Sequence, residues 1–274
     1  MLDQFALASP LQARILAHYR RAVDLIVANF AGVPIMPKYY PNGLEGKPTY
    51  GHNETKPLPP SIPCVVTGAS HLRHVALTAD SLLWYVHRGA AGFDSWTPSL
   101  LDPESVGFAR IILAPRGGAT QEQLTLAMLA VRTALAEHGV ETIPLLDGYV
   151  GAALYIPFSD VPAYMPVRAW LHRIADTAVA RNATLLTADP HDQKSRRIHV
   201  NVSTNAVNRG SSLPYVLTGS KHLGMVTPIA WSELGVVANG AYTADNSAER
   251  FAQGDLFARL AAEIGAQSFA RAVR

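Results

Sequence analysis

The sequence predicts an α+β fold, and three observations carry that expectation. Apolar residues recur at helical spacing in three long segments, near 10–30, 120–138 and 166–181. Short apolar runs bounded by Gly, Pro and Asn lie between them. The two kinds follow one another without a regular βαβ repeat, which a doubly wound parallel sheet would need.

The first helix runs from Pro10 to about Phe30, where Leu11, Ile15, Leu16, Val23, Ile26 and Val27 fall on one face ahead of Gly32 and Pro34. Val33 to Tyr40 is extended. Pro41-Asn42-Gly43 turns the chain, because Pro41 fixes its own φ and Gly43 tolerates a positive one. The proline-rich stretch from Tyr50 to Pro63 reads as a loop or lid. Val65 to Val75 contains strand, and Ser81 to Gly89 a helix. Arg110 to Leu113 is a short buried strand ending at Pro115, and Gly117-Gly118 leads into a helix from Thr120 to His138 closed by Gly139. Thr142 to Leu146 and Ala152 to Phe158 form a hairpin-like pair around Asp147-Gly148. A helix spans Pro166 to Arg181, a strand Ile198 to Ser203, and Thr227 to Leu234 opens a last, mostly helical section over 237–274.

With 274 residues, 49% hydrophobic and 16% charged, and a mean hydropathy of +0.10, the chain can bury a sizeable core as one domain over 1–274. Nothing in it reads as a signal peptide or approaches the ~20 apolar residues of a membrane span, so a cytoplasmic protein without a membrane partner is expected. Cys64 stands alone, which excludes an internal disulfide and a cysteine-held metal cluster. A net charge of +2 is weak for a surface that must neutralise many phosphates, leaving room only for a local basic groove.

Familiar motifs give little. Arg116-Gly117-Gly118 lacks the Gly-Lys-Ser/Thr ending and glycine spacing of a P-loop. Asp189-Pro190-His191-Asp192 reads as an acidic turn rather than a cation site. His71 and His74 share a face if that segment is helical, but no carboxylate stands at ligand spacing beside them. Thr218-Gly219-Ser220 has no assigned base.

The order of several segments says more. Lys38-Tyr39-Tyr40-Pro41-Asn42-Gly43 follows a helix ending in Ala31-Gly32-Val33-Pro34. Asp80-Ser81-Leu82-Leu83-Trp84 precedes Gly89-Ala90-Ala91, and Arg110 to Gly118 precedes the long helix. Arg197-Ile198-His199-Val200-Asn201 with Asn205, Leu213-Pro214-Tyr215-Val216, and Val226 to Leu234 come last. In order and spacing, over about 10–236, these resemble the polymerase/primase domain of bacterial end-joining ligase D. The resemblance implies a primase-polymerase fold with mixed and antiparallel sheets around a central cleft. It also implies gap filling at DNA ends with two divalent metals held by three aspartates. Two carboxylates at i and i+2 of a strand face the same way, and a third from a neighbouring strand completes a clamp for ions about 4 Å apart.

Aligned on Pro115, the aspartate positions hold Ile112, Ala114 and Asn201. The loop that contacts the triphosphate in that family falls on Asp147 to Ala153, without its serine, lysine or histidine. The family's two later arginines fall on Thr218 and Ser220, beside Lys221. A further histidine falls near Asp94, and a lysine of the end-phosphate pocket near Gln12. The expectation is therefore a divergent, stand-alone member with no catalytic residues, no metal and no cofactor, keeping a DNA-binding or scaffolding role in repair. Lys38, Tyr39, Tyr50, Lys194, Arg196, Arg197 and Arg209 are the candidates for nucleic acid, as phosphate partners or base-stacking platforms. The partners expected are DNA ends or single strands and a repair protein. The alternative is an active nucleotidyltransferase using Mn or Mg on relocated ligands such as Asp147, Asp189 or Asp192.

Overall fold

The computed structural model describes residues 9–55, 57–67, 72–96, 105–207 and 209–274. Helix α1, Pro10–Phe30, begins where Ser9 accepts a hydrogen bond from the Gln12 amide at 3.2 Å, with proline in its first turn, where the missing donor costs nothing. Its stripe of Ile15, Leu16, Val23 and Ile26 is buried as the periodicity predicts. Strand β1, Pro34–Tyr39, follows, and Gly43 takes φ +81° in the next turn. β2, Thr49–Tyr50, folds back onto β1 with Tyr50 opposite Lys38.

β3, Cys64–Thr67, and β4, Leu72–Ala76, pair antiparallel. Residues 68–71, and with them His71, lie outside the described residues. The strand expected between Val65 and Val75 is there, so the alternative of a shared helical face for His74 does not arise. His74 sits in a strand, buried, with its ring edge-on to Trp96 at 4.5 Å. α2, Ala79–His87, is closed at its start by a reciprocal Thr78/Ser81 capping box. β5, Gly92–Ser95, was not foreseen; all four of its residues are buried.

β6, Phe108–Pro115, leads through Gly117 and Gly118, both at positive φ, into α3, Gln121–Ala136, capped by Thr120 and Gln123. β7, Ile143–Leu146, and β8, Ala152–Pro157, form the expected antiparallel pair. α4 is Tyr164–Arg181, β9 Leu186–Thr187, β10 Ile198–Asn201, β11 Ser211–Ser212 and β12 Thr227–Pro228. The end of the chain holds three short helices, α5 (Ser247–Phe251), α6 (Leu256–Ile264) and α7 (Phe269–Ala272), joined by turns, so it is less helical than expected.

Among the described residues two six-stranded sheets result. One runs β11-β5-β1-β4-β3 with β2 beside β1; the other runs β12-β7-β8-β6-β10-β9, parallel only between β9 and β10. In β6, Ile111 and Leu113 pack with Leu124, Met128 and Trp170 of α3 and α4. Strand alternation turns Arg110, Ile112 and Ala114 the other way, toward the first sheet. β10 stops at Asn201, which leaves the β6 backbone at Arg110 without a ladder partner on its β10 side. Asn205 supplies one, accepting from the Arg110 amide at 2.8 Å and donating to its carbonyl at 2.6 Å.

His18 ties α1 to the C-terminal segment. Its Nε2 must donate to the Tyr215 carbonyl at 2.8 Å, so its Nδ1 accepts from the Ser247 hydroxyl at 3.0 Å in the neutral ring. Burial pushes its pKa from 6.5 down to about 4. A depressed histidine contributes stability that is complete above 6.5 and lost as pH falls toward 4, by about 3 kcal/mol if the full shift is realised. The expected result is a melting temperature that falls between pH 6.5 and 4, with the His18 Cε1 proton resonance still at its neutral position at pH 5.5. A resonance titrating at the ordinary value would overturn the assignment.

Candidate functional site

The two sheets face each other across a cleft, and its floor is built by β6 and β10. Asn201 pairs directly with Ile112, and His199 with Ala114. The three positions marked by the sequence are thus brought side by side. Ile112 and Ala114 are half-buried, and neither offers a donor or acceptor. The one oxygen Asn201 has to lend is already spent, accepting from the Ser203 amide at 2.9 Å and the Ser203 hydroxyl at 2.7 Å. Beside them the Arg116 guanidinium lies 3.1 Å from His199 Nδ1. Burial, then the Arg116 charge, lowers the His199 pKa, so a neutral ring accepts from Arg116.

Hard divalent ions need anionic oxygen, and this floor supplies a guanidinium instead. The donor set does not fit a metal pair. Among the described residues no group of three or more His, Cys, Asp or Glu side chains is placed to hold a metal ion. The carboxylates weighed as substitutes are engaged elsewhere. Asp189 accepts from the His191 amide in its own turn, and Asp192 is paired with Arg197 at 2.5 Å. Asp147 accepts from the Tyr149 amide at 2.8 Å and from Asn239 at 3.3 Å.

Two cavities open from the cleft. The larger, about 600 Å³, is lined by Lys38, Tyr40, Glu45, Asp147, Tyr149 and Lys221 among others. Glu45 and Lys221 sit 3.8 Å apart at its rim, and both are exposed. The smaller, about 280 Å³, is lined by Tyr50, His52, Asp94, Asn201, Thr204 and Arg209 among others. Tyr50 stacks on His52 with ring centroids 5.7 Å apart and stays 44% exposed, enough to meet a base.

The candidate nucleic-acid residues divide into three groups. Lys38, Tyr50 and Arg209 belong to the cleft, but Lys38 is not free. Its ammonium pairs with Asp94 at 2.5 Å and donates to Ser212 at 3.0 Å, in a nearly closed site. Burial pulls its pKa down, and the Asp94 pair more than reverses this, leaving it raised. Tyr39 points away. Alternation along β1 places it on the opposite face, in a cavity of about 250 Å³ with Glu54, Tyr85 and Arg88, where burial raises its pKa to about 12.

Lys194, Arg196 and Arg197 form the third group, at the edge before β10. The loop there packs so closely on Gly117 that a Cβ would meet the Lys194 carbonyl carbon at 2.9 Å. Lys194 and Arg196 are exposed. Arg197 is spent on Asp192 and the Ala183 carbonyl and closes the acidic turn rather than facing solvent. Sequence reasoning missed Arg116 and the partnership of Lys38 with Asp94. Alternation along β10 was the available signal for His199, which shares a face with Asn201.

Residues 12–257 match the family model described as LigD, primase-polymerase domain. The chain belongs to the LigD primase-polymerase family. The match runs past 236, where the resemblance in the sequence was expected to end, and takes in α5. The multifunctional non-homologous end joining DNA repair protein LigD of Mycobacterium tuberculosis is 25% identical over 266 residues, covering 91% of this chain and 34% of that protein. The LigD of Mycolicibacterium smegmatis is 24% identical over 234 residues, covering 81% and 30%. This LigD-family chain therefore spans about a third of the length of the curated relatives it matches. The solved polymerase domain of M. tuberculosis ligase D in complex with DNA superposes with a TM-score of 0.80 at 22% identity, covering 91% of each chain. The α+β primase-polymerase fold read from the sequence is the fold observed. No helix among the described residues is long and apolar enough to cross a membrane.

Proposed function

We propose that this member of the LigD primase-polymerase family binds DNA ends or single strands in repair without catalysing nucleotide addition. The observation that carries the reading is the cleft floor. Ile112, Ala114 and Asn201 stand side by side with no carboxylate among them, and the Asn201 oxygen is turned to Ser203. DNA binding is supported by the family and by the relative solved with DNA. On this chain, exposed Tyr50 and the exposed cations Lys194, Arg196 and Arg209, none of them in an ion pair among the described residues, would provide it. A repair protein docked on the same domain and a cytoplasmic setting belong to the same reading.

About three phosphate contacts on a single strand give a salt slope near −2 in a plot of log K against log salt. The test is anisotropy of a labelled single strand and of a recessed, 5′-phosphorylated duplex across a salt series, alongside Mn²⁺ relaxation and primer extension. Binding with that slope, weakened roughly fivefold or more by Tyr50→Ala, and no extension, is the expected result. Extension by pure protein that is lost on Asp147→Asn would establish the active alternative. Absence of DNA binding would sink the DNA reading and leave the protein partner.

A further inference from the structure

A separate cavity of about 260 Å³ lies where the end of α1 meets the start of β6, with Phe30, Val33, Phe108 and Leu213 among its apolar walls and Arg110 in its lining. Arg110 is 1% exposed. Its Nη1 donates to the Tyr155 hydroxyl at 3.3 Å and the Ser211 carbonyl at 3.2 Å, and its Nη2 to the Ser95 carbonyl at 2.8 Å. Every one of these partners is neutral. Nε has none. Of five N–H donors two are unspent, Nε–H and one on Nη2, which is the number a carboxylate takes in a bidentate pair.

No carboxylate among the described residues forms an ion pair with Arg110. Asp94, next to Ser95 in β5, is held by Lys38 at 2.5 Å and also accepts from Ser212 at 2.9 Å. The buried set Lys38, Asp94 and Arg110 is left with one positive charge in excess. A desolvated guanidinium whose charge no carboxylate among the described residues offsets is costly, and proteins meet that cost with a counter-ion. The cavity beside it has room for one of about nine non-hydrogen atoms, at the ~30 Å³ that a water occupies in the liquid.

We propose that this cavity binds a small monocarboxylate with an apolar body, its carboxylate on Arg110 and its body against Phe30, Phe108 and Leu213. One negative charge matches the excess. The apolar walls fit a short aliphatic or aromatic acid and disfavour a nucleotide or free phosphate, whose several charges would find one cation. The site is independent of the nucleic-acid cleft and stands or falls apart from it.

Benzoate, hexanoate, benzyl alcohol and benzylamine, titrated into the full chain by calorimetry and thermal shift, test this. Benzoate and hexanoate are expected to bind saturably at one site, with the alcohol and the amine at least roughly tenfold weaker, since the charged hydrogen bonds carry the discrimination. Arg110→Met should abolish the preference for acids. It also removes two bonds between the sheets, to Ser95 and Ser211, and one to Tyr155 in β8, so a second variant is needed. Gly107 lines the cavity, is not at positive φ, and would bring a Cβ within 4 Å of nothing, so Gly107→Phe places bulk at the cavity wall while leaving Arg110 itself unchanged. Loss of benzoate binding in folded Gly107→Phe supports the site. Equal binding of acid and alcohol, benzoate binding that survives in both variants, or no saturable heat up to the solubility of benzoate would overturn it.

Discussion

Glu233→Ala is expected to cost about 3 kcal/mol or more of stability, although Glu233 touches neither the cleft nor its floor. Arg250 is 2% exposed, and its guanidinium meets Glu233 along one edge, with Nη1 to Oε1 and Nη2 to Oε2 both at 2.7 Å. The same carboxylate accepts from the Ala230 amide at 2.7 Å, holding the 3-10 turn Trp231–Glu233. Nη2 also reaches the Pro228 carbonyl at 2.8 Å, so the pair fastens α5 to β12. Alanine at 233 would leave a buried guanidinium with one carbonyl, the Gln253 amide oxygen and the Tyr242 ring 5.4 Å away but no carboxylate, and the penalty of that orphaned charge exceeds the worth of the pair itself. For a domain of this size a loss of about 3 kcal/mol lowers the melting temperature by roughly 6–12 °C.

The pH dependence carries a second check. The hydrogen bond from Arg250 holds the Glu233 carboxyl below its ordinary 4.5 against burial, which pulls the other way. A depressed carboxylate contributes stability that is present above the unfolded pKa and lost as pH falls through the folded value. Wild type and Glu233→Ala should therefore differ most near neutrality and converge in acid. A melting temperature unchanged at pH 7 would show that the pair is not what anchors α5.

Glu233 belongs to the segment Val226 to Leu234 that helped mark the family, yet its contact with Arg250 could not be read from that segment. The pairing spans 17 positions, from the 3-10 turn across irregular chain to α5, with no periodicity to announce it. Long elements were legible because burial leaves a period in them, as in the α1 stripe and the caps around α3. β5 was not, because all four of its residues are buried and no alternation remains. Its Asp94 is tolerated there only because Lys38 arrives from the neighbouring strand, a partnership 56 positions apart in sequence. β9, β11 and β12 have two residues each, too few for any pattern.

The site divides along the same line. That Ile112, Ala114 and Asn201 adjoin followed from strand alternation together with the family's order of segments, and the register bears the adjacency out. Tyr39 was grouped with Lys38 because the run Lys38 to Gly43 was taken whole; the alternation that placed Ile112 and Ala114 correctly would have separated them. Arg197 was counted with its basic neighbours, and only the folded turn reveals that Asp192 claims it.

Replacing all three floor positions together, Ile112→Asp, Ala114→Asp and Asn201→Asp, is expected to create Mn²⁺ binding that the natural chain is expected to lack. Asn201 and Ile112 are register partners and Ala114 is two residues along the same face, so the three carboxylates would converge. Without metal they repel one another, their pKa values rise, and the apo variant should melt below the natural chain. Mn²⁺ offsets that repulsion and binds only the folded state. At a hundredfold excess over its Kd it should return about 2.7 kcal/mol, read as a saturable rise in melting temperature that the natural chain does not show. The Arg116 guanidinium beside His199 works against the ion, but one half-buried cation opposes three carboxylates, so the sign is set by the carboxylates. A folded triple variant that gains no Mn²⁺ response would mean that these positions are not the equivalent of the family's metal floor. The case for a non-catalytic protein would then lose its main support. A variant that binds Mn²⁺ but adds no nucleotide would place the remaining deficit in the loop Asp147 to Ala153. There Asp147 and the exposed Val150 offer a triphosphate no cation, and Asn239 pins the loop by bonds to Gly148 and Gly151 at 2.9 and 2.7 Å.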